Sequence, residues 1–361
     1  MKWTDVQHQE DALSRIDRAL RSGRMPHAYL FAGPDGVGKG MTAIRLARRL
    51  LCPNAADDAC GKCDDCVAVE AGTHLDLHLI YRALNKLHPD KRIRDQQARD
   101  FSVDVIRMFV VDAIGHAPVR GRAKVFIIEK AERLRAGGGN SLLKTLEEPP
   151  PRSYLILLTQ TPEQILPTIR SRCQTIEFHR LPDEFVHSRL RKEASLPEAD
   201  AAYIVGLAEG RLGMAMKLAG GGLSANRQQV LELIERASDD PLAASREFQD
   251  LGKALLKQGA VSVEDEGSEG AANRAAQQLV LSMIGCALRD VLRTAVGQPP
   301  IAHPTDAAAL QRIARRMGPQ AISGAIRALA TAETHIAQNV SEKLLFDGLA
   351  MAIEHGHAQI A

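Results

Sequence analysis

The residues best suited to chemistry in this 361-residue chain stand between Phe31 and Gly40, in FAGPDGVGKG. A glycine-rich loop of the form G-x-x-x-x-G-K-[ST] turns backbone N–H groups toward phosphate oxygens. Its lysine reaches the outer phosphates and its hydroxyl holds magnesium. Gly33, Gly38 and Lys39 fit that pattern, and Gly36 adds a third glycine to the turn. Position 40 is glycine, so the metal-holding hydroxyl is missing. Thr42 cannot replace it, because two residues further along a helix its side chain points about 200° away. Two readings stand: a phosphate cradle without its magnesium contact, or a glycine turn with no ligand. Nucleotide binding, by ATP or ADP, is left open.

Hydrolysis also needs an Asp at the end of a buried strand to hold magnesium, often followed by a Glu that activates water. KVFIIEKAERL places Glu129 and Lys130 at those positions. Glu129 keeps a negative charge on a longer arm, but Lys130 cannot act as a general base at neutral pH. Glu132, one helical turn on, is a weak substitute. The plainer reading makes Glu129 and Lys130 the polar end of a strand. Either way, hydrolysis in this site lacks its parts.

A second constellation lies in CPNAADDACGKCDDC, where Cys52, Cys60, Cys63 and Cys66 form C-x7-C-x2-C-x2-C. Two-residue gaps let neighbouring thiolates turn onto one ion, and four thiolates close a tetrahedral zinc shell with no open position, so the role would be structural. An iron–sulfur cluster is the rival, although such clusters place their fourth cysteine downstream. A nucleic-acid-binding zinc module is another reading, against which Asp57, Asp58, Asp64 and Asp65 would repel phosphates. Cys173, Cys286, His74 and His78 read as core or surface residues outside the ligand set.

These groups must be carried by folded elements. Short apolar runs at Ala28 to Ala32, Lys124 to Ile128 and Tyr154 to Leu158 alternate with helical stretches, which argues for a parallel sheet flanked by helices. Thr42 to Leu51 continues the glycine loop as a helix, and Asn140 to Glu147 forms another, stopped by Pro149, Pro150 and Pro151. From Pro182 onward the pattern is helical, with Gly220, Gly221 and Gly222 as a linker and Ser262 to Gly270 as a mobile acidic loop. With 45% hydrophobic and 25% charged residues the chain is globular, and 4% aromatic content leaves its cores to Leu, Ile, Val and Ala. A formal net charge of +2 gives no whole-protein attraction to nucleic acid. Arg45, Arg48 and Arg49 read as the solvated face of a helix. MKWTDVQHQE lacks the apolar core of a signal peptide, and no apolar run approaches the roughly 18 residues of a membrane span. The clustered thiols then belong to a reducing cytoplasm.

MPHAYLFAGPDGVGKG, the four-cysteine insertion, AGTHLDL, NSLLKTLEEPP and the IRSRC segment together resemble the clamp-loader branch of the AAA+ ATPases. The resemblance runs from about residue 6 to 220 and thins through the C-terminal helices, where NVSEKLLFDGLAMAI resembles a final collar helix. It implies an α/β AAA+ (P-loop NTPase-like) domain at 1–180 with the zinc-binding insertion at 52–66. A helical lid at 181–222 and an all-α collar at 223–361 would follow. It implies partners of the gamma/tau and delta types in a ring of five subunits, a sliding clamp and primed DNA. Arg172 of the SRC triplet, by its chemistry alone a surface ion-pair residue, would on this resemblance serve a neighbouring subunit's ATP. Relative to hydrolysing members, the chain departs at Gly40, at Lys130 and at Gly213, where a lid arginine is expected and only Arg211 is nearby. The leading expectation is a loader subunit that does not hydrolyse ATP itself. The alternatives are an active ATPase motor with unusual metal coordination and a zinc-dependent nucleic-acid adaptor.

Overall fold

The protein is described by a computed structural model covering residues 5–95, 100–120, 122–134, 136–261, 268–338 and 340–355. It divides into two compact units, residues 1–181 and 182–361.

The first unit is built on a five-stranded sheet of β1 (Ala28–Ala32), β2 (Leu77–Ile80), β3 (Lys124–Ile128), β4 (Ser153–Thr159) and β5 (Gln174–Glu177). The spatial order is β2-β3-β4-β1-β5, and every pairing is parallel. Successive side chains on a strand point to opposite faces. Leu30, Phe126, Ile128, Leu155 and Leu157 accordingly enter one core, and Tyr29, Phe31, Val125, Ile127 and Ile156 the other. Strands buried on both faces read as continuous apolar runs, and the three central ones lie where those runs place them. Helices α1 (Glu10–Ser22), α2 (Lys39–Leu51) and α3 (Asp64–Glu70) are joined by α4 (Ala136–Glu147). The last begins four residues earlier than expected, through three glycines that helix propensity disfavours. Packing explains it: a Cβ at Gly139 would stand 2.6 Å from Leu166 Cδ1.

Parallel strands give the sheet a chemical polarity, because whatever follows a strand collects at one edge. The glycine loop leaves β1 at that edge and is tied to its neighbours there. Gly33 N–H donates to Thr159 O at 3.1 Å, and Phe178 N–H donates to Ala32 O at 2.7 Å. Gly33 has φ +148°, and a Cβ on it would lie 2.2 Å from Phe178 O. No other residue fits.

The second unit is helical: α5 (Asp183–Glu193), α6 (Glu198–Ala208), α7 (Leu212–Ala219), α8 (Ser224–Ala237), α9 (Pro241–Lys257), α10 (Glu269–Ala295), α11 (Ala307–Ala337) and α12 (Glu342–His355). Gly220 to Gly222 form the turn between α7 and α8. Residues 262–267 of the expected acidic loop lie outside the described residues, and Ser268 already caps α10 by accepting from Ala271 N–H at 3.2 Å. Helix α10 contains no apolar run near 18 residues, although an 18-residue window in it reaches a mean hydropathy of 1.2, long and apolar enough by length and composition for a span. Its apolar residues are core residues, with 61% of the window buried inside the protein. Helix α11 is broken at Gly318, whose φ of 73° is followed by Pro319.

The loop after α10 is anchored by one fully buried carboxylate. Asp290 accepts from Ile301, Ala302 and His303 N–H at 3.0, 2.8 and 2.9 Å, and His303 Nδ1 lies 3.0 Å away. Burial pushes the Asp290 carboxyl up, but His303 and the N–H groups of Ile301 and His303 outweigh it and hold it below the ordinary carboxylate range. A depressed carboxyl contributes stability above its unfolded value, about 3.9, and loses it as pH falls through the folded value. Asp290→Ala is expected to cost at least about 3 kcal/mol at pH 7, because several buried donors lose their acceptor. In urea denaturation followed at a series of pH values, the gap between variant and wild type should narrow below about pH 4.

Candidate functional site

The loop closes on its own lysine. Gly38 stands at the N-cap of α2, and Lys39, the first helical residue, is only 5% exposed. Its Nζ donates to Gly33 O at 2.5 Å and Pro34 O at 2.6 Å, and it meets Asp35 Oδ1 at 3.4 Å. Burial lowers the Lys39 ammonium below its ordinary range, while Asp35 and, less strongly, Glu132 oppose that shift. Asp35 Oδ2 also accepts a short hydrogen bond from Gln160 Nε2, just beyond β4. Thr42 Oγ1 donates to Gly38 O at 2.9 Å, so that hydroxyl is committed to the helix.

The acidic residues line the same edge of the sheet. Glu129 follows β3, and its N–H donates to Ile80 O at 2.9 Å. Its side chain reaches solvent, yet desolvation by the surrounding protein raises its carboxyl, with Asp35 adding and Lys130 opposing. Lys130 adopts a left-handed backbone, φ 49°, starting the turn that carries Glu132. Glu132 Oε2 accepts from Thr159 Oγ1 at 2.8 Å, which places this carboxylate beside the end of β4. Asp35 and Glu132 therefore act on a single buried ammonium, with Glu129 acted on in turn by Asp35 and Lys130 at the same edge.

Arg172 lies elsewhere. It follows the short helix Pro167–Arg170 and stands two residues before β5, so it sits at the edge where strands begin. Tyr29 pairs with Gln174, which sets Arg172 roughly level with His27. At ~3.3 Å per residue, that is roughly 20 Å along the strand direction from Gly33. The guanidinium is about a third exposed, at 35%. Its Nη2 pairs with Glu147 Oε1 at 2.6 Å, and its Nη1 donates to Thr168 O at 3.0 Å. Next to it, burial pushes the Cys173 thiol up to about 12.

The four cysteines converge. Cys52 caps the end of α2, Cys63 precedes α3 and Cys66 lies within it. Their Sγ atoms, with that of Cys60, all lie within 4.8 Å of one another, and the Cys52–Cys63 and Cys60–Cys66 pairs are 3.9 Å apart. Sulfurs at ~2.3 Å from a common tetrahedral ion stand about 3.8 Å apart, so this cluster could hold zinc. The N–H groups of Lys62 and Cys63 draw the Cys60 thiol down to about 6, and desolvation pushes Cys63 and Cys66 up. His74 stays out of the cluster: its Nδ1 accepts from Asp76 N–H at 3.0 Å, and its Nε2 faces Asp65 Oδ1 at 3.2 Å. His78 stacks on Phe126, with centroids 4.4 Å apart. The arginines of α2 correct the expectation of a solvated face. Arg45 and Arg48 are both 4% exposed, paired with Asp5 at 3.3 Å and Glu70 at 2.8 Å. Arg49 and Arg122 donate to the backbone of residues 53–57, tying the cysteine segment to its surroundings.

A family model described as "DNA polymerase III, delta subunit" matches residues 8–182. The DNA polymerase III subunit delta' of Bacillus subtilis (strain 168) is 25% identical over 99% of this chain and 99% of its own length. The Pseudomonas aeruginosa subunit delta' is 35% identical over 61% of this chain and 63% of its own. This chain is a homologue of the DNA polymerase III delta' and tau subunits. The B. subtilis tau subunit is 32% identical over 72% of this chain, which spans 41% of tau. Among solved structures, a DNA polymerase III gamma subunit-related protein from Thermotoga maritima matches with a TM-score of 0.45 and 16% identity, over 96% of this chain and 100% of that one.

Arg211, the residue nearest the expected lid arginine, donates through Nε to Ala208 O at 2.8 Å and through Nη2 to Leu207 O at 3.4 Å, and thereby caps α6. Three residues of the site escape the motif pattern. Asp35 carried one usable signal, its place four residues before Lys39. Gln160 and Glu147 carried none, since their contacts are made across the fold. Gly40 is not demanded by packing: the nearest atom to an added Cβ is Leu158 Cδ1 at 3.9 Å. Gly40→Ala is therefore expected to keep the fold and to raise stability by about 0.5 kcal/mol in chemical denaturation, because alanine is the better helix former.

Proposed function

We propose that this chain is a clamp-loader subunit of the bacterial replicative polymerase. It keeps the AAA+ frame, does not turn over ATP itself, and presents Arg172 to the ATP of a neighbouring subunit while a sliding clamp is loaded onto primed DNA. The observation that carries this reading is the position of Arg172 at the sheet edge opposite the chain's own glycine loop. A guanidinium there cannot serve its own pocket, but a ring of subunits brings one edge of each domain to the pocket edge of the next. A transferring phosphoryl group spreads negative charge over its oxygens, and a positioned arginine offsets it. Glu147 and Thr168 O restrain the guanidinium, so less side-chain freedom is lost when it docks.

The reading extends to the whole chain. Residues 1–180 act as the ATPase-like domain, 181–222 as the lid and 223–361 as the collar that joins gamma/tau- and delta-type partners in the cytoplasm. The missing groups at Gly40, Lys130 and Gly213 each remove a charge or metal contact that hydrolysis requires. Zinc in the cysteine cluster is structural: it joins the end of α2 to α3 and leaves no open coordination position.

In the assembled loader, Arg172→Ala should lower turnover at the interface it faces on the order of 10³-fold while assembly persists. Steady-state ATPase and size-exclusion measurements on the same preparation check this, and unchanged turnover would end the arginine's role. The isolated chain should show no magnesium-dependent turnover. Elemental analysis is expected to find about one zinc per chain, lost when Cys60 or Cys63 becomes Ser. Finding iron instead, or metal retained in both variants, would refute the assignment.

A further inference from the structure

An ammonium has three N–H donors. In Lys39 all three have acceptors within the loop itself: Gly33 O, Pro34 O and the Asp35 carboxylate. None is left to meet a phosphate. Two of the acceptors are backbone carbonyls of the loop, Gly33 O at 2.5 Å and Pro34 O at 2.6 Å. The third is a fixed negative charge, held at its other oxygen by Gln160 Nε2. Glu132 adds further negative charge that acts on the same lysine, and Glu129 lies close enough to Asp35 for the two carboxylates to repel. An entering phosphate would have to displace Asp35 and stay beside its carboxylate.

We infer that Asp35 is the specificity-determining residue of this loop. It acts as a built-in substitute for the phosphate, closing the cradle on its own lysine and excluding nucleotide. The inference rests on and deepens the reading of the chain as a subunit without turnover, since it names a residue of this chain that would keep nucleotide out. Removing the carboxylate frees one donor of Lys39 and takes away the repulsion, while the backbone of the loop is untouched. Asp35 is 54% exposed, so its replacement leaves the core intact.

The test is calorimetric titration of ADP, and of ATP with magnesium, into the full-length wild-type chain and into Asp35→Ala and Asp35→Asn. Wild type should show no saturable binding below millimolar nucleotide, and both variants should bind at least tenfold more tightly. Lys39→Ala added to Asp35→Ala should abolish the gain. Wild-type binding in the micromolar range would overturn the inference. So would variants that bind no better than wild type, or a gain that survives the loss of Lys39. These outcomes are separate from the loader ATPase of Arg172→Ala, which reads the neighbour's pocket and not this one.

Discussion

All five strands of the sheet run in the same direction, and this constraint organises the first unit. Segments leaving strands gather at one edge, where the glycine loop, Glu129 and Gln160 meet. Segments entering strands gather at the other, where Arg172 and Glu147 meet, close to the contact between His27 Nε2 and Leu146 O at 2.9 Å. A strand of five residues is long enough to keep these groups out of reach of each other. The first unit thus holds two groups of polar side chains at opposite edges of one sheet, too far apart to act on each other.

The loop edge has the strand, glycine turn and helix of a phosphate loop, and it carries negative charge beside its lysine. Two carboxylates, Asp35 and Glu132, act on one buried ammonium, and the positions where the motif would place a metal-holding hydroxyl and a water-activating carboxylate are a glycine and a lysine. The shape persists because it is structural: the loop packs against Phe178 and the end of β4, and α2 grows directly out of it.

Much of this was legible in the chain. Fully buried strands appear as apolar runs, so β1, β3 and β4 could be read nearly to the residue, and the cysteine spacing announced its own cluster. What stayed hidden was set by tertiary contacts. β5 is a polar edge strand in which only Ile176 is buried, and β2 is four residues with a histidine in its middle. Arg45 and Arg48 have the spacing of an exposed face, and nothing local tells that Asp5 and Glu70 cover them. The glycine-rich start of α4 contradicts helix propensity and makes sense only once Leu166 is seen against it. Asp35 belonged to a recognised loop, yet its partner Gln160 is 125 residues away.

Helix α2 links features that otherwise look unrelated. It begins at Lys39 in the glycine loop and ends at Cys52 in the thiolate cluster, a stiff rod of roughly 20 Å with a clasp at each end. Between the clasps, Ala43, Leu46, Ala47 and Leu51 hold the rod in the core against the sheet. Four sulfurs and a glycine turn are thereby carried at the two ends of one continuous, packed helix.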